Sequence, residues 1–247
     1  VSKAVIMAGW DDVPHLSEAE RARLLAATPP YLRDARSKGI PALGSGAIYP
    51  LSIDDITVPP FVIPVHWPRA YGLDVGWKAT AGLWGAWDRD SDTIVCFAEY
   101  KRGHAEPAVH ASAIRARGAK LVGAIDPASR GRSQKDGEKL MDAYTNEEQL
   151  TLLKAKNAVE AGLFECWQRF TTGRLKLFAS LGQTLAELRL YRRDEHGKVV
   201  KENDHLMDAL RYLVMTREDI FNWTVPDEGD GDDTRHRRRG DQSWMSA

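Results

Sequence analysis

The segment AYGLDVGWKA (residues 70–79) places one carboxylate, Asp74, in an apolar run whose alternation is that of a β-strand. Tyr71, Leu73 and Val75 then point one way, and Gly72, Asp74 and Gly76 the other. A charge on an apolar strand is costly unless something pairs with it. The same-face neighbours of Asp74 have no side chains, which leaves room above it for a metal ion and a large anionic substrate. An edge-strand aspartate facing water is the alternative. A second lone acid, Asp126, ends the apolar run KLVGAID. A third group lies in NDHLMDALRY. At about 100° per residue, with Asp204 at zero, Asp208 lies near ~40° and His205 near ~100°, while Leu206, Ala209, Leu210, Leu213 and Val214 occupy roughly 140–280°. Asp204 also suits the first turn of a helix capped by Asn203; Asp208, a full turn inside, has no such role.

Three acids on different elements have a shared chemistry. Hydrolysis of a phosphodiester needs a nucleophilic water and relief of charge at the leaving oxygen, and two divalent ions about 3.5–4 Å apart supply both. Mg²⁺ or Mn²⁺ takes hard oxygen ligands in octahedral geometry. Gly72 and Gly76 would then let a phosphate backbone approach. An imidazole from His205 in such a site would favour Mn²⁺ over Mg²⁺.

Other chemistries lack their residues. There is no Cys/His cluster and no H-E-x-x-H, which argues against zinc. Gly197-Lys198 is followed by valine and lacks the Walker pattern, so the chain is not expected to hydrolyse ATP itself. Cys96 and Cys166 stand apart without ligand-like neighbours and read as free buried thiols. No run approaches the roughly 18 apolar residues of a membrane span. A net charge of −1 argues against a protein that coats nucleic acid, yet allows a local basic groove.

The elements that must position the acids follow in order. Residues 1–66 read as an arm and linker rather than a core. Ser17 and Glu20 form a capping box before a short helix that Pro29-Pro30 would end. The valine at position 1 suits a piece of something longer. Residues 67–222 form the main domain. Three strand-like runs (AYGLDVG, TAGLWGAW, TIVCFAEY) precede a helix in EPAVHASAIRARG and the strand KLVGAID. Next come a helix around Glu138–Tyr144, the strand QLTLLK, a helix from Ala158 to about Thr171, the strand RLKLF and a helix from Leu181. A charged hairpin (LRLYRRDEHGKVVKEND) leads into the closing helix HLMDALRYLVMTRE. The fold class is α/β: three antiparallel strands, then parallel ones, in a mixed sheet flanked by helices. Residues 223–247 are Gly/Asp/Arg-rich and read as a disordered tail, with Trp244 and Met245 as candidate anchors.

Aspartate on strand one, a carboxylate ending strand four and an acid on the last helix resemble the RNase H-like nucleases. Within them the chain is similar to the nuclease domain of tailed-bacteriophage large terminase subunits. WDDVPHLSEAE, ARSKGIPALGSGAIYP, YGLDVGW, AIDPAS, GRLKLF and NDHLMDALRY carry the resemblance, in terminase order. It implies an endonuclease that cuts concatemeric double-stranded viral DNA, with Asp74 and Asp126 as metal-binding acids. Asp208 is the first choice for the third acid and Asp204 the second, with His205 auxiliary. It further implies two divalent ions (Mg²⁺ or Mn²⁺), an upstream ATPase domain, and a portal protein and small terminase subunit as partners. The place of action would be the host cytoplasm, at the procapsid portal.

Basic residues flank the acids: Arg130, Arg132 and Lys135 after Asp126, and Arg192, Arg193, Lys198 and Lys201 before the closing helix. As phosphate contacts they would position a duplex without reading bases. No recognition helix or zinc finger is evident, so cutting should show little sequence preference. A resolvase or transposase of the same superfamily, and a non-cleaving DNA clamp or portal-docking module, are the alternative readings.

Overall fold

The computed structural model describes residues 9–28, 36–37, 46–118, 120–126 and 141–223. Pro29-Pro30, the segment 127–140 with Arg130, Arg132 and Lys135, and the tail 224–247 with Trp244 and Met245 lie outside the described residues. Helix α1 (Glu18–Ala26) starts at the expected capping box. Ser17 Oγ accepts the Glu20 N–H at 3.3 Å, and Glu20 Oε2 accepts the Ser17 N–H at 3.0 Å. No residue of α1 is buried.

The second half of the arm behaves differently. After the one-turn helix α2 (Ile53–Ile56), strand β1 (Thr57–Val58) pairs in parallel with Leu177 and Phe178. Ile48, Tyr49, Ile56 and Ile63 are buried in the main core. These residues contribute to the folded body, not merely to a linker. Pro59 and Pro60 limit the strand to two residues, too few to show an alternation.

Strands β2 (Arg69–Asp74), β3 (Thr80–Asp88) and β4 (Thr93–Arg102) form the expected antiparallel meander. Helix α3 (Pro107–Arg115) starts on a proline, where the missing N–H costs nothing, and leads to β5 (Val122–Ile125), parallel to β2. Where the sequence predicts a helix around Glu138–Tyr144, the described part continues as a π-helical segment, Ala143–Glu147. Then come β6 (Leu152–Lys154), α4 (Val159–Thr171), β7 (Leu175–Phe178) and α5 (Gly182–Leu190). The closing helix α6 (His205–Met215) is cut short, because the chain turns at Thr216 before α7 (Arg217–Phe221). Thr216 Oγ1 accepts the Lys156 N–H there at 3.0 Å. The expected charged hairpin is present as a narrow one, bridged antiparallel between Arg193 and Val199, with Gly197 at φ 77°.

The sheet order is β1-β7-β4-β3-β2-β5-β6, with β7 parallel to β4 and to β1, and β6 parallel to β5. Its two faces carry separate cores, as the alternation of β2 requires. Tyr71, Leu73 and Val75 join Ala111, Ile114 and Tyr144 on the α3 side. Ala70 lies with Leu163, Leu188, Leu206 and Leu213 on the side of α4, α5 and α6. Both cysteines are free and buried, and no described helix is long and apolar enough to cross a membrane.

Candidate functional site

Asp74 is the last residue of β2 and Asp126 the first after β5. The two strands are parallel neighbours in register Leu73↔Ile125, and the Asp126 N–H donates to Leu73 O at 3.3 Å. Adjacent strands run about 4.8 Å apart, so the two carboxylates leave the sheet side by side. Helix α6 brings the third acid. A Cβ on Gly72 would lie 1.9 Å from Ala209 O, so the helix backbone rests directly on β2 at that glycine. Gly72 therefore admits a helix, which corrects the expectation that it admits a phosphate backbone. A Cβ on Gly76 would meet Ala79 O at 3.1 Å.

Packed this way, α6 directs His205 Nδ1 to within 2.8 Å of Asp74 Oδ2 and sets Asp208 one turn further on. Asp204, rather than Asn203, is the N-cap residue of α6; Asn203 sits in the left-handed region at φ 51°. Asp208 is buried and divided between two cations, with Oδ1 2.9 Å from Arg211 Nη2 and Oδ2 2.9 Å from Lys201 Nζ. Lys201 also lies 3.0 Å from Asp204 Oδ2. Asp126 Oδ1 accepts from Asn157 Nδ2 at 3.2 Å.

The electrostatics tie these acids together. Burial pushes the Asp74 carboxyl above its ordinary range; the His205 hydrogen bond pulls it down, while the Asp208 and Asp126 charges push it further up. The bond to Asp74 in turn holds the His205 imidazole above its usual value against the effect of burial. Lys201 is also raised: burial opposes its charge, but Asp208 and Asp204 outweigh that. The phenol of Tyr212, one turn beyond Asp208, is raised by burial and then by Asp208, Asp126 and Asp74 together.

Several supports were not legible in the sequence. The side chain of Asp204 makes no cap hydrogen bond. The N-terminus of α6 is held instead by buried Glu187 of α5, whose Oε2 accepts the Leu206 N–H at 2.7 Å while Oε1 pairs with Lys101 Nζ at 2.6 Å. Glu99 of β4 does the same for α5, accepting from the Gln183 N–H at 3.0 Å, the Thr184 N–H at 2.8 Å and the Thr184 hydroxyl at 2.7 Å. Carboxylates at helix N-termini also suit the helix dipole. Asn157 is a further support, holding Asp126 through Nδ2 and accepting from Arg211 Nη1 through its carbonyl at 3.0 Å.

The basic residues divide. Arg192 and Lys198 are exposed and form no ion pair among the described residues. Arg193 turns inward, gripping Glu160 with both terminal nitrogens at 2.9 and 2.7 Å and donating to Gly197 O at 2.8 Å. Its guanidinium braces the hairpin. Lys201 is drawn to the acids, as described.

Among the described residues, no three His, Cys, Asp or Glu side chains form a ready-made metal cluster. Both oxygens of Asp208 and one oxygen each of Asp74 and Asp126 are engaged by protein donors. The donor set nevertheless suits a hard divalent ion: repelling carboxylates with one imidazole beside them, and an ammonium standing as a cation between Asp204 and Asp208.

A sequence profile of the family described as Terminase RNaseH-like domain matches residues 72–217. The large terminase subunit of Salmonella phage P22 is 31% identical over 215 residues, 83% of this chain and 43% of that protein. The chain thus spans less than half the length of this curated relative. The solved nuclease domain of P22 large terminase superposes with a TM-score of 0.67 at 30% identity, covering 71% of this chain and 94% of that one. The large terminase nuclease of thermophilic phage G20c, solved with bound magnesium, shares the fold at a TM-score of 0.51 and 15% identity, covering 69% and 97%.

Proposed function

The chain belongs to the terminase RNase H-like domain family, and from that premise we propose that it is a metal-dependent endonuclease that cuts concatemeric double-stranded viral DNA during genome packaging. The observation that supports this best is geometric: Asp74 and Asp126 end neighbouring parallel strands, and the helix that carries Asp208 rests on the first of them at Gly72.

In this reading Asp74, Asp126 and Asp208 would hold two divalent ions, magnesium or manganese, with Asp204 the second choice for the third acid and His205 an auxiliary ligand. When bound, such ions supply charge neutralisation at the scissile phosphate and activation of water. The chain's own residues do the rest. His205 fixes the orientation of the Asp74 carboxylate, and Asn157 that of Asp126. Arg211 holds Asp208 from the buried side, leaving its other oxygen directed at Lys201. Arg192 and Lys198, with Arg130, Arg132 and Lys135 of the segment after Asp126, contact phosphates and set the duplex without reading bases. An ATPase domain of the same polypeptide, a portal protein and a small terminase subunit complete the machine, in the host cytoplasm at the procapsid portal.

A plasmid-nicking assay tests this reading, with Mn²⁺, Mg²⁺ or chelator, on the wild type and on Asp74→Ala. Metal-dependent nicking that the substitution abolishes supports the nuclease. Equal activity under all conditions would expose a contaminant and favour a non-cleaving clamp. Faster cleavage of branched than of linear duplex DNA would move the chain toward the resolvases.

A further inference from the structure

At the C-terminal end of β2, on the sheet face opposite Asp74, a cavity of about 270 Å³ opens between Val75, Gly76, Trp77, Thr80, Pro107 and Tyr144. Val75 and Tyr144 belong to the core under α3, whereas Asp74 faces α6. The cavity and the acid therefore share one strand end, with their first residues adjacent in the chain.

Trp77 stands at the mouth and is 64% exposed. Its backbone is pinned by the His104 N–H, which donates to Trp77 O at 2.9 Å. Its indole meets the His104 ring edge-on, at 5.9 Å between centroids and 89° between planes. A large aromatic held on a turn with its ring in solvent costs free energy for no gain in packing. Beside it Lys78, on the turn after Trp77, and Arg102, the last residue of β4, are exposed and form no ion pair among the described residues. Of the polar groups in the wall, His110 and Thr80 are satisfied from within, and the exposed Glu106 contributes one carboxylate to the lining. His110 bonds to Tyr100 Oη at 2.8 Å and to Ala105 O at 3.1 Å, and the Thr80 hydroxyl donates to Gly76 O at 3.1 Å. The cavity thus offers apolar walls and a π face, with free cations outside it. Sequence-tolerant sites for single-stranded nucleic acid combine the same elements.

We propose that this cavity receives one unstacked base of the DNA strand being cut, stacked on Trp77, with Lys78 and Arg102 against the flanking phosphates. The proposal rests on the nuclease reading above. A base inside an intact duplex cannot reach such a recess, so the site favours DNA that is frayed, nicked or distorted at the point of cleavage.

Binding in chelator, where nothing is cut, provides the test. Fluorescence anisotropy would compare a short labelled single-stranded oligonucleotide with the same backbone made abasic. The wild type should bind the intact oligonucleotide roughly tenfold more tightly, the typical loss when one stacking aromatic is truncated. Trp77→Ala should remove that difference and Trp77→Phe retain most of it. Because the side chain lies mainly in solvent, thermal unfolding should be unchanged. Equal affinity for both oligonucleotides, or a difference that survives Trp77→Ala, would overturn the proposal. Plasmid nicking by the wild type reports separately on the nuclease: nicking without base-dependent binding removes the base pocket alone, and base-dependent binding without nicking removes the nuclease reading alone.

Discussion

Glu187 Oε2 accepts the Leu206 N–H at 2.7 Å, so the helix that carries Asp208 is held at its first turn by a carboxylate from the helix before it. Lys101 closes the arrangement from β4. Glu187→Ala removes a charged acceptor from a buried N–H and leaves the Lys101 ammonium without its partner. Such a loss costs about 2–3 kcal/mol. Thermal unfolding should fall by roughly 5–10 °C. Nicking should fall as well, because Leu206 follows His205 directly. Glu187→Gln keeps an acceptor for the N–H and should recover most of both. A glutamine variant no better than alanine would show that the Lys101 pair, not the helix terminus, is what matters.

Gly72→Ala should do more harm than Gly76→Ala. The first puts a methyl 1.9 Å from the backbone carbonyl oxygen of Ala209, and relief requires β2 and α6 to move apart. Overpacking of this kind costs about 1–3 kcal/mol or more. The displaced helix carries Asp208 away from Asp74. At Gly76 the nearest atom, Ala79 O, is 3.1 Å away and a shift of tenths of an ångström suffices. Denaturant midpoints and nicking rates for the two variants check this, and comparable losses at both positions would contradict it.

The contrast between these glycines shows how much was legible in the sequence. Alternation in β2 placed Gly72 and Asp74 on one face correctly, and the two apolar runs that end in Asp74 and Asp126 are neighbouring parallel strands. Identifying what covers Gly72 requires knowing where a helix more than a hundred residues later will land. Glu187 and Glu99 have the same difficulty: both serve backbone N–H groups on another element, and nothing local distinguishes them from surface glutamates. Arg193 and Arg192 are adjacent and chemically identical, yet only the fold brings Glu160 to one of them. Strand β1 was missed because two residues between a helix turn and prolines carry no period.

Lys201 bridges Asp204 and Asp208 at 3.0 and 2.9 Å, the position of a counter-ion. Lys201→Met keeps the aliphatic stem but leaves the two carboxylates to repel. Without metal the variant should unfold at a lower temperature than wild type, and millimolar Mn²⁺ should raise its midpoint by more, since a ligand bound only by the native state adds RT ln(1 + [L]/Kd) of stability and the emptied site would bind it more tightly. An identical Mn²⁺ response in both proteins would place Lys201 outside the metal site. A flatter salt dependence of DNA binding in the variant would return it to the phosphate contacts.

Arg192 and Arg193 should separate in a binding experiment. Arg192→Ala combined with Lys198→Ala should weaken duplex binding and lower the slope of log affinity against log salt by about 1–2, without affecting unfolding. Arg193→Ala should instead destabilise the hairpin, because it leaves Glu160 and Gly197 O without their donor. An unchanged salt slope in the double variant would take the hairpin off the DNA path.

Asp92 supplies a pH test remote from the acids. It sits in the β3–β4 turn at φ 51° and accepts from Trp87 Nε1 at 3.0 Å, from Arg174 at 3.1 Å and from Arg169 at 3.1–3.2 Å. Arg169 is only 2% exposed, so this turn anchors α4 through a buried guanidinium. Partial burial opposes the Asp92 charge, but Arg169, Trp87 and Arg174 together outweigh it, and the carboxyl lies below its ordinary value. A carboxyl lowered on folding stabilises the native state above its unfolded pKa of about 3.9, and that contribution is lost as pH falls through the lower folded value. Asp92→Asn preserves a residue tolerant of left-handed backbone and removes the charge. The side chain is 38% exposed, so solvent screening limits the effect to about 1 kcal/mol. Urea unfolding should show the wild type more stable at pH 7 by that amount, with the gap closing as the pH is taken below 4. A gap that stays constant down to the acid limit would mean that the hydrogen bonds, and not the charge, carry the anchor.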